Sequence, residues 1–246
     1  MSTRQERRRQ ERLAKKQSKK DKMTNYYYKK DKDNKDILTD ANGQNQVMME
    51  WEKPYMEAMV EKLNPSGDVL EIGFGMGYSA NAIQKFDINS HTIIEADENV
   101  LKKLREWAPL QKHKVNIIEG CWQTCLPSMT QKFDRFFFDD FPHPKYPDSR
   151  NMRPLFFQQL IIQKNVKKGA KFTWFCGDFI VNFPCSVFMR WDMYEFVTNI
   201  PENLTKQGYE NPERMSSRQK MYIPIITFNE DSSEMGEYAF KLSFGF

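Results

Sequence analysis

The 246-residue sequence is poor in the residues that build metal centres and disulfide frameworks. It contains three histidines and four cysteines, and no two cysteines form a C-x-x-C pair. The cysteines are Cys121, Cys125, Cys176 and Cys185. These counts argue against a zinc site, so we expect no metal, and they favour a reduced intracellular compartment. We expect the cytoplasm, with the nucleus as a second location.

Long apolar runs are also missing. No segment approaches the roughly 18 apolar residues that a membrane helix requires, and no apolar signal core follows the first residues, so we expect no membrane segment. Hydrophobic residues still make up 39% of the chain, which is enough for one sizeable core. One domain preceded by a tail is therefore expected, and the oligomeric state is left open.

Positive charge is concentrated at the start of the chain. Residues 1–36 contain 14 Lys or Arg and six Asp or Glu, a net +8, so the rest carries −4 of the total of +4. Apolar residues are nearly absent there, which predicts a disordered basic arm, with Tyr26 to Tyr28 as the one stretch able to fold back. Such an arm suits nucleic acid or another acidic surface. The acidic body suits a cationic substrate.

The remaining sequence predicts a lid segment followed by an α/β domain. Over residues 37–66, apolar residues recur at a helical spacing, and Pro54 marks the first turn of the helix. From residue 67 to 246 strands alternate with helices, which predicts a doubly wound, mostly parallel sheet. The predicted strands are 68–75, 91–97, 114–120, 133–140, 169–178, 221–228 and 238–244. No helix separates the last two, so we expect an antiparallel C-terminal edge hairpin.

A glycine-rich turn, Glu71-Ile72-Gly73-Phe74-Gly75-Met76-Gly77, follows the first of these strands. Glycines in this position let the backbone approach a ligand closely. Glu95 ends the second strand 20 residues beyond Gly75, where an acid hydrogen-bonds ribose hydroxyls. The G-x-G-x-G order, preceded by an acid, resembles class I S-adenosylmethionine-dependent methyltransferases. That resemblance implies a Rossmann-like fold and S-adenosylmethionine as cofactor.

Two further strand ends carry candidate site residues. Trp122 follows the third strand, and the sequence leaves open whether it lies at an adenine edge or in the core. Asp139 and Asp140 end the fourth strand, where ligands bind in a doubly wound fold. An acid held there can receive a cation and later accept its proton.

Seven elements carry a closer resemblance: VMMEWEKPYM, VLEIGFGMG, IIEAD, LREWAP, HKV, EGCWQ and FDRFFFDDFP. In this order and spacing they resemble guanidinoacetate N-methyltransferase and the related arginine δ-N-methyltransferases. The resemblance covers about residues 47–142, with a weaker echo through 154–175. It implies that Glu52 and Asp139 grip a guanidinium, with both acting as catalytic and substrate-binding residues. It implies a cofactor site formed by Met48, Met56, Glu71, Gly73, Phe74, Gly75, Met76, Gly77, Tyr78, Ser79, Glu95, Ala96, Asp97, Trp122, Gln123 and Asp139.

The sequence departs from the family pattern around the expected substrate. Asp140 and Asp178 disfavour an anionic tail on the substrate, whereas Lys145 or Arg150 would favour one. The resemblance makes methylation of guanidinoacetate to creatine the first expectation. A peptidyl arginine is the alternative acceptor, with the basic arm docking on the target. A binding module without catalysis, with the arm on RNA, is the third hypothesis.

Overall fold

The computed structural model describes residues 26–31, 33–40, 43, 46–141, 152–176, 189–198 and 220–233. Three short strands come first and form an antiparallel sheet in the order β1-β2-β3. They are β1 (Tyr27–Lys30), β2 (Asp36–Thr39) and β3 (Gln46–Met49). The prediction of a disordered arm reaching residue 36 is therefore wrong at its end, because tyrosines and the apolar residues of β2 give residues 26–36 a face to bury. Residues 1–25 lie outside the described part.

Helix α1 (Lys53–Leu63) follows a single 3-10 turn, Glu50–Glu52, and confirms the predicted lid helix. Pro54 occupies its first turn, where a missing N–H costs nothing. The helix ends at Asn64, which takes the left-handed conformation (φ 51°). Its buried side chains, Tyr55 and Met59 among them, pack onto the large sheet and tie the lid to the domain.

The large sheet has seven strands in the order β6-β5-β4-β7-β8-β10-β9, which confirms the doubly wound fold. The pairs β5–β6, β4–β5, β4–β7 and β7–β8 are parallel, and β10 runs antiparallel to both neighbours. The strands are β4 (Gly67–Ile72), β5 (Ile88–Glu95), β6 (Val115–Glu119), β7 (Phe133–Phe138), β8 (Val166–Trp174), β9 (Met189–Val197) and β10 (Lys220–Phe228). The helices between them are α2 (Tyr78–Ile83), α3 (Glu98–Trp107), α4 (Trp122–Cys125) and α5 (Met152–Ile162).

The antiparallel edge is present, but its partner strand differs from the prediction. β10 pairs with β9, which we did not predict from the sequence, over the full length of both strands. Charged residues, Arg190, Asp192 and Glu195, interrupt the apolar residues of β9, and none of its side chains is buried, as is common at the edge of a sheet. The expected strand at 238–244 lies outside the described residues. Among the described residues, no helix has the length and apolar character needed to cross a bilayer.

Aromatic residues fill both faces of the sheet. In β7, Phe137 belongs to the cluster with α1 and α3, whereas Phe136 and Phe138 belong to the cluster with α5. A central parallel strand covered on both faces is largely apolar, and β7 is so at Phe133 and from Phe136 to Phe138, with Asp134 and Arg135 near its start. The core therefore lies in two layers, and the polar functions are left to the loops at the strand ends.

Candidate functional site

The predicted site lies at the switch point of the sheet, where β4 has β5 on one side and β7 on the other. The glycine turn follows β4, and Asp139 follows β7. The backbone N–H of Asp139 donates to the carbonyl oxygen of Ile72 at 3.1 Å. A side chain at Gly73 would collide with the carbonyl oxygen of Asp139. The fold thus places the half-buried Asp139 directly against the turn predicted to hold the cofactor.

The turn itself requires its glycines. Gly73, Gly75 and Gly77 have φ angles of 83°, 52° and 75°, in the left-handed region that side chains disfavour. The N–H of Gly77 donates to the carbonyl of Phe74 at 2.8 Å and closes the turn into α2. The ring of Phe74 is buried against Trp107, at 5.2 Å between ring centroids. The turn has the backbone conformation that permits close approach of a ligand, and its role in holding the cofactor stays a prediction.

Glu95 ends β5 beside this turn with its carboxylate buried. It accepts hydrogen bonds from the backbone N–H groups of Phe74 (2.8 Å), Ala96 (2.7 Å) and Asp97 (2.8 Å). Burial raises the pKa of Glu95, and the three N–H groups oppose that shift. A carboxylate has about four acceptor positions, so one remains for a hydroxyl. The remaining acceptor position suits a ribose hydroxyl of a nucleoside cofactor, which would donate to it.

The side chain of Asp97 links the start of α3 to the N-terminal sheet. Its Oδ1 caps α3 by accepting from the N–H groups of Asn99 (2.9 Å) and Val100 (3.1 Å), and its Oδ2 accepts from the N–H of Tyr26 at 2.8 Å. These bonds join β1 to the start of α3. The cofactor contact predicted for Asp97 stays a prediction, as does that of the half-buried Ala96.

Glu71 and Ser79 are buried and hydrogen-bonded to each other, and their assignment as cofactor contacts stays a prediction. The hydroxyl of Ser79 donates to Oε1 of Glu71, and Oε2 of Glu71 lies 2.8 Å from Nε2 of His91. Glu71 and His91 are both fully buried. β4 is covered on both faces, so the side chain of Glu71 points into the protein and supports the turn from below. Such buried pairs are sensitive to the loss of either partner.

Trp122 takes the core position that the sequence had left open. It is 3% exposed, and its ring packs edge-on against Phe156 and Phe138, with centroids 5.2 and 6.0 Å away. Its Nε1 donates to Oδ2 of Asp140 at 2.7 Å. The predicted contact with adenine is therefore not supported for Trp122, because adjacent aromatics cover its ring. Gln123 is half-buried at the start of α4, and its contact with the cofactor stays a prediction.

Asp140 is a second acid at this edge whose pKa is perturbed by burial. Burial raises its pKa from an ordinary 3.8 to about 6, and the hydrogen bond from Trp122 opposes the shift. Asp139 and Asp140 are thus adjacent carboxyl groups in different settings. One lies against the cofactor turn, and the other is hydrogen-bonded to a core indole.

The lid brings Glu52 and Met48 to the same region. The buried Glu52 accepts from the N–H of Met49 through Oε1 at 2.9 Å. Tyr78 begins α2, and its pKa is raised by burial and further by Glu50, Asp36 and Glu52, which places these acids near the turn. The N–H of Met76 points to Sδ of Met48 at 3.4 Å. Met48 therefore contacts the turn, and its predicted contact with the cofactor stays a prediction.

Met56 does not share that position. It is fully buried in a core cluster with other residues of α1, and its predicted role as a cleft residue stays a prediction. The hydroxyl of the neighbouring Tyr55 donates to the carbonyl of Tyr222 at 2.6 Å and accepts from the N–H of Cys176 at 3.1 Å, so this face of α1 is anchored to the sheet.

Two tyrosines of the site were missed as site residues. Tyr26 is buried edge-on against Phe141, with ring centroids 5.8 Å apart. Its pKa is raised by burial and then by Glu95, Asp97 and Asp140, so its hydroxyl lies among the acids at the strand ends. The hydroxyl of Tyr28 donates to the carbonyl of Gly75 at 2.6 Å. The sequence signal was the run of three tyrosines in an otherwise polar arm. It predicted that this stretch packs on the domain, but it did not predict which residues it contacts.

The chain is similar to known proteins over this same region. The sequence model of the family described as guanidinoacetate N-methyltransferase matches residues 14–175. Protein arginine N-methyltransferase 2 of Candida glabrata is 37% identical over 115 residues, covering 43% of this chain and 28% of that protein. The protein of the same name from Aspergillus oryzae is 35% identical over 147 residues, which cover 58% of this chain and 34% of that protein. The chain thus spans about a third of the length of these relatives.

Solved structures agree on the fold. An O-methyltransferase from Bacillus cereus, determined in complex with SAH, has a TM-score of 0.50 at 13% identity and covers 74% of this chain and 82% of its own. Spermidine synthase from Thermotoga maritima has a TM-score of 0.51 at 15% identity, and the match covers 86% of this chain and 76% of the synthase. The family match spans about two thirds of the sequence and includes the glycine turn, Glu95 and Asp139. The chain therefore belongs to the guanidinoacetate N-methyltransferase family.

Proposed function

We propose that this chain is an S-adenosylmethionine-dependent methyltransferase that acts on a nitrogen of a guanidino group, and that its acceptor is the side chain of a peptidyl arginine. The observation that carries the proposal is the position of Asp139, whose backbone packs against Gly73 of the cofactor turn. Glu52, buried on the lid, supplies the second carboxylate. Two carboxylates suit a guanidinium because its N–H groups form a planar fork that carboxylates accept bidentately.

The bound cofactor supplies an electrophilic methyl group attached to a sulfonium. The chain's own residues have to orient the acceptor nitrogen and remove its proton. A guanidinium is a poor nucleophile while it is protonated, since its pKa is very high. Glu52 and Asp139 hold its charge on the nitrogens that do not react, and Asp139 accepts the proton from the nitrogen that does. Holding two reactants in line lowers the barrier by several kcal/mol in favourable cases, on the order of a hundredfold or more in rate.

Asp140 favours peptidyl arginine over guanidinoacetate. A second carboxyl group directly beside Asp139 repels an anionic tail whenever it is ionised, and its pKa of about 6 leaves it largely ionised at pH 7.5. The relatives named protein arginine N-methyltransferase 2 support the same choice. Guanidinoacetate is the second candidate, favoured by the description of the family that matches. The loops carrying Lys145, Arg150 and Asp178, which bear on the same choice, lie outside the described residues.

The test is a methyl-transfer assay with labelled S-adenosylmethionine and a panel of acceptors. The panel contains guanidinoacetate, free arginine, arginine peptides, and the same peptides with lysine replacing arginine. We expect transfer to arginine peptides, none to the lysine peptides, and mass spectrometry to place the methyl on the guanidino group. Transfer to guanidinoacetate alone would select the second candidate. Cofactor binding without transfer to any guanidino compound would contradict both.

The basic segment before Tyr26 provides a second test of the acceptor. It carries ten of the 37 Lys and Arg residues of the chain within residues 1–25. If the acceptor is a protein, deleting residues 1–25 should raise the KM for an intact protein substrate in a salt-dependent way. The KM for a short arginine peptide should change little. Equal effects on both acceptors would argue against docking by this segment.

A further inference from the structure

One peptide unit of the cofactor turn is held from both sides by the N-terminal sheet. The carbonyl oxygen of Gly75 accepts a 2.6 Å hydrogen bond from the hydroxyl of Tyr28 on β1. The N–H of Met76, at the other end of the same peptide unit, points to Sδ of Met48 on β3 at 3.4 Å. The hydroxyl bond is short and well formed, whereas the sulfur is a weak acceptor. Tyr28 is therefore the stronger of the two contacts.

The turn needs such an external contact. Gly75 has no side chain to restrict it, and a glycine loses more conformational freedom than any other residue when it is ordered. A turn with three glycines at positive φ samples other conformations unless something outside it fixes the peptide planes. A hydrogen bond to the Gly75 carbonyl fixes the plane of the 75–76 peptide unit and therefore the direction in which the Met76 N–H points.

Tyr28 is itself fixed in two ways. The Nζ of Lys103, on the exposed side of α3, lies 3.3 Å from the centroid of the Tyr28 ring, in a cation–π contact. Strand alternation turns Tyr26 and Tyr28 inward and Tyr27 outward, and Tyr27 is 38% exposed. The strand is held at Tyr26, whose carbonyl accepts from Nδ2 of Asn99 at 2.9 Å.

The hydroxyl of Tyr28 stays protonated and can therefore always donate its hydrogen bond to Gly75. Burial raises the pKa of its hydroxyl well above the usual range, and the nearby carboxylates of Glu95 and Asp97 raise it further. The phenol therefore keeps its proton throughout the working pH range. Its hydrogen bond to Gly75 has no alternative ionised state.

From this geometry we propose that Tyr28 is a positioning residue for S-adenosylmethionine. It acts through the turn by holding the Gly75–Met76 peptide in the conformation that receives the cofactor, and Lys103 holds its ring in place. β1 is then part of the cofactor site and not only a cover over it. This proposal depends on the cofactor and not on the identity of the methyl acceptor, so it stands or falls independently of the guanidino assignment.

The experiment compares Tyr28→Phe with Tyr27→Phe in the full-length chain. Both variants lose one hydroxyl from the same strand, but only the first loses a bond to the turn. Calorimetry with S-adenosylhomocysteine needs no acceptor, and we expect its Kd to rise about threefold to tenfold for Tyr28→Phe and to stay unchanged for Tyr27→Phe. With an acceptor at saturation, the KM for S-adenosylmethionine should rise while kcat stays within about twofold.

A second variant covers the case in which Tyr28→Phe is poorly folded. Lys103 is exposed, so Lys103→Met preserves the fold while removing the charge over the ring, and the Kd should rise about twofold. Lys103→Arg should restore the wild-type value. The proposal is overturned if Tyr28→Phe binds the cofactor as Tyr27→Phe does. It is also overturned if Tyr28→Phe lowers only the melting temperature of the free protein and leaves the Kd unchanged.

Discussion

The indole Nε1 of Trp122 donates a hydrogen bond to Oδ2 of Asp140 at 2.7 Å. This contact joins a residue of the core to an acid at the rim of the proposed substrate site. Burial raises the pKa of Asp140 to about 6, and the indole limits that rise. Because the pKa of Asp140 differs between the folded and unfolded chain, the free energy of unfolding depends on pH.

The first prediction concerns that dependence. Between its ordinary pKa of 3.8 and a folded-state value of about 6, Asp140 binds more protons in the folded than in the unfolded state. Its contribution to stability is full below about pH 4 and is lost as the pH rises through 6. Asp140→Asn is neutral and can still accept from Trp122. Between pH 4 and pH 8, the free energy of unfolding of Asp140→Asn should rise by on the order of 1 kcal/mol relative to that of wild type.

Urea unfolding of wild type and Asp140→Asn at several pH values measures this difference, because the other titrations cancel between the two proteins. A stability difference that is flat from pH 4 to pH 8 would contradict the raised pKa. Trp122→Phe provides a check on the cause. Removing the indole hydrogen bond should move the transition to higher pH, since that bond lowers the pKa.

The second prediction separates the two adjacent acids in catalysis. Asp139→Asn keeps the size of the side chain but removes the negative charge and the base, so turnover should fall roughly a hundredfold or more. Asp140→Asn is the matched control, and its turnover with an arginine peptide should fall far less. Steady-state assays of both variants, with cofactor Kd measured in parallel, make the comparison. Comparable losses in the two would assign the proton transfer to the pair and not to Asp139.

The third prediction concerns the lid. Glu52→Gln keeps an oxygen that can accept from the Met49 N–H, so the turn before α1 should stay folded. It loses the charge proposed to bind the guanidinium, and a charge-assisted hydrogen bond is worth about 1.5–3 kcal/mol. The KM for the acceptor should therefore rise about tenfold or more. The control is Glu61→Gln, an exposed acid on the same helix, which should behave as wild type. Equal KM values for the two variants would remove Glu52 from the substrate site.

The fourth prediction tests the close approach at the cofactor turn. Gly73 and Gly169 both have positive φ angles, 83° and 77°. A Cβ at Gly73 would collide with the carbonyl of Asp139, whereas a Cβ at Gly169 would meet nothing within 4 Å. Gly169→Ala should lower stability by about 1 kcal/mol, from backbone strain alone. Gly73→Ala should lower it further and also abolish measurable binding of S-adenosylhomocysteine. Intact cofactor binding in Gly73→Ala would mean that the contact with Asp139 is not needed.

Local patterns in the sequence predicted much of this molecule because they report local physics. The alternation of strands and helices, the proline at the start of α1, and the glycine turn followed by Glu95 each depend on a few neighbouring residues. Strand β9 was not predicted because Arg190, Asp192 and Glu195 interrupt its apolar residues and none of its side chains is buried. Glu71 and Trp122 were placed in the cofactor site because the sequence shows that they lie near strand ends. It does not show on which side of the backbone their side chains lie.

By itself, the sequence determined the fold class, the cofactor turn and the acids at the strand ends, because periodicity and glycine content act within single elements. Only the tertiary structure decided which partners the side chains of those residues contact. It placed Glu71 against His91, and Trp122 in the core against Asp140. It also joined Tyr28 to Gly75 across 47 residues of sequence. Contacts between residues so far apart arise when separate elements pack together, and no local pattern encodes them.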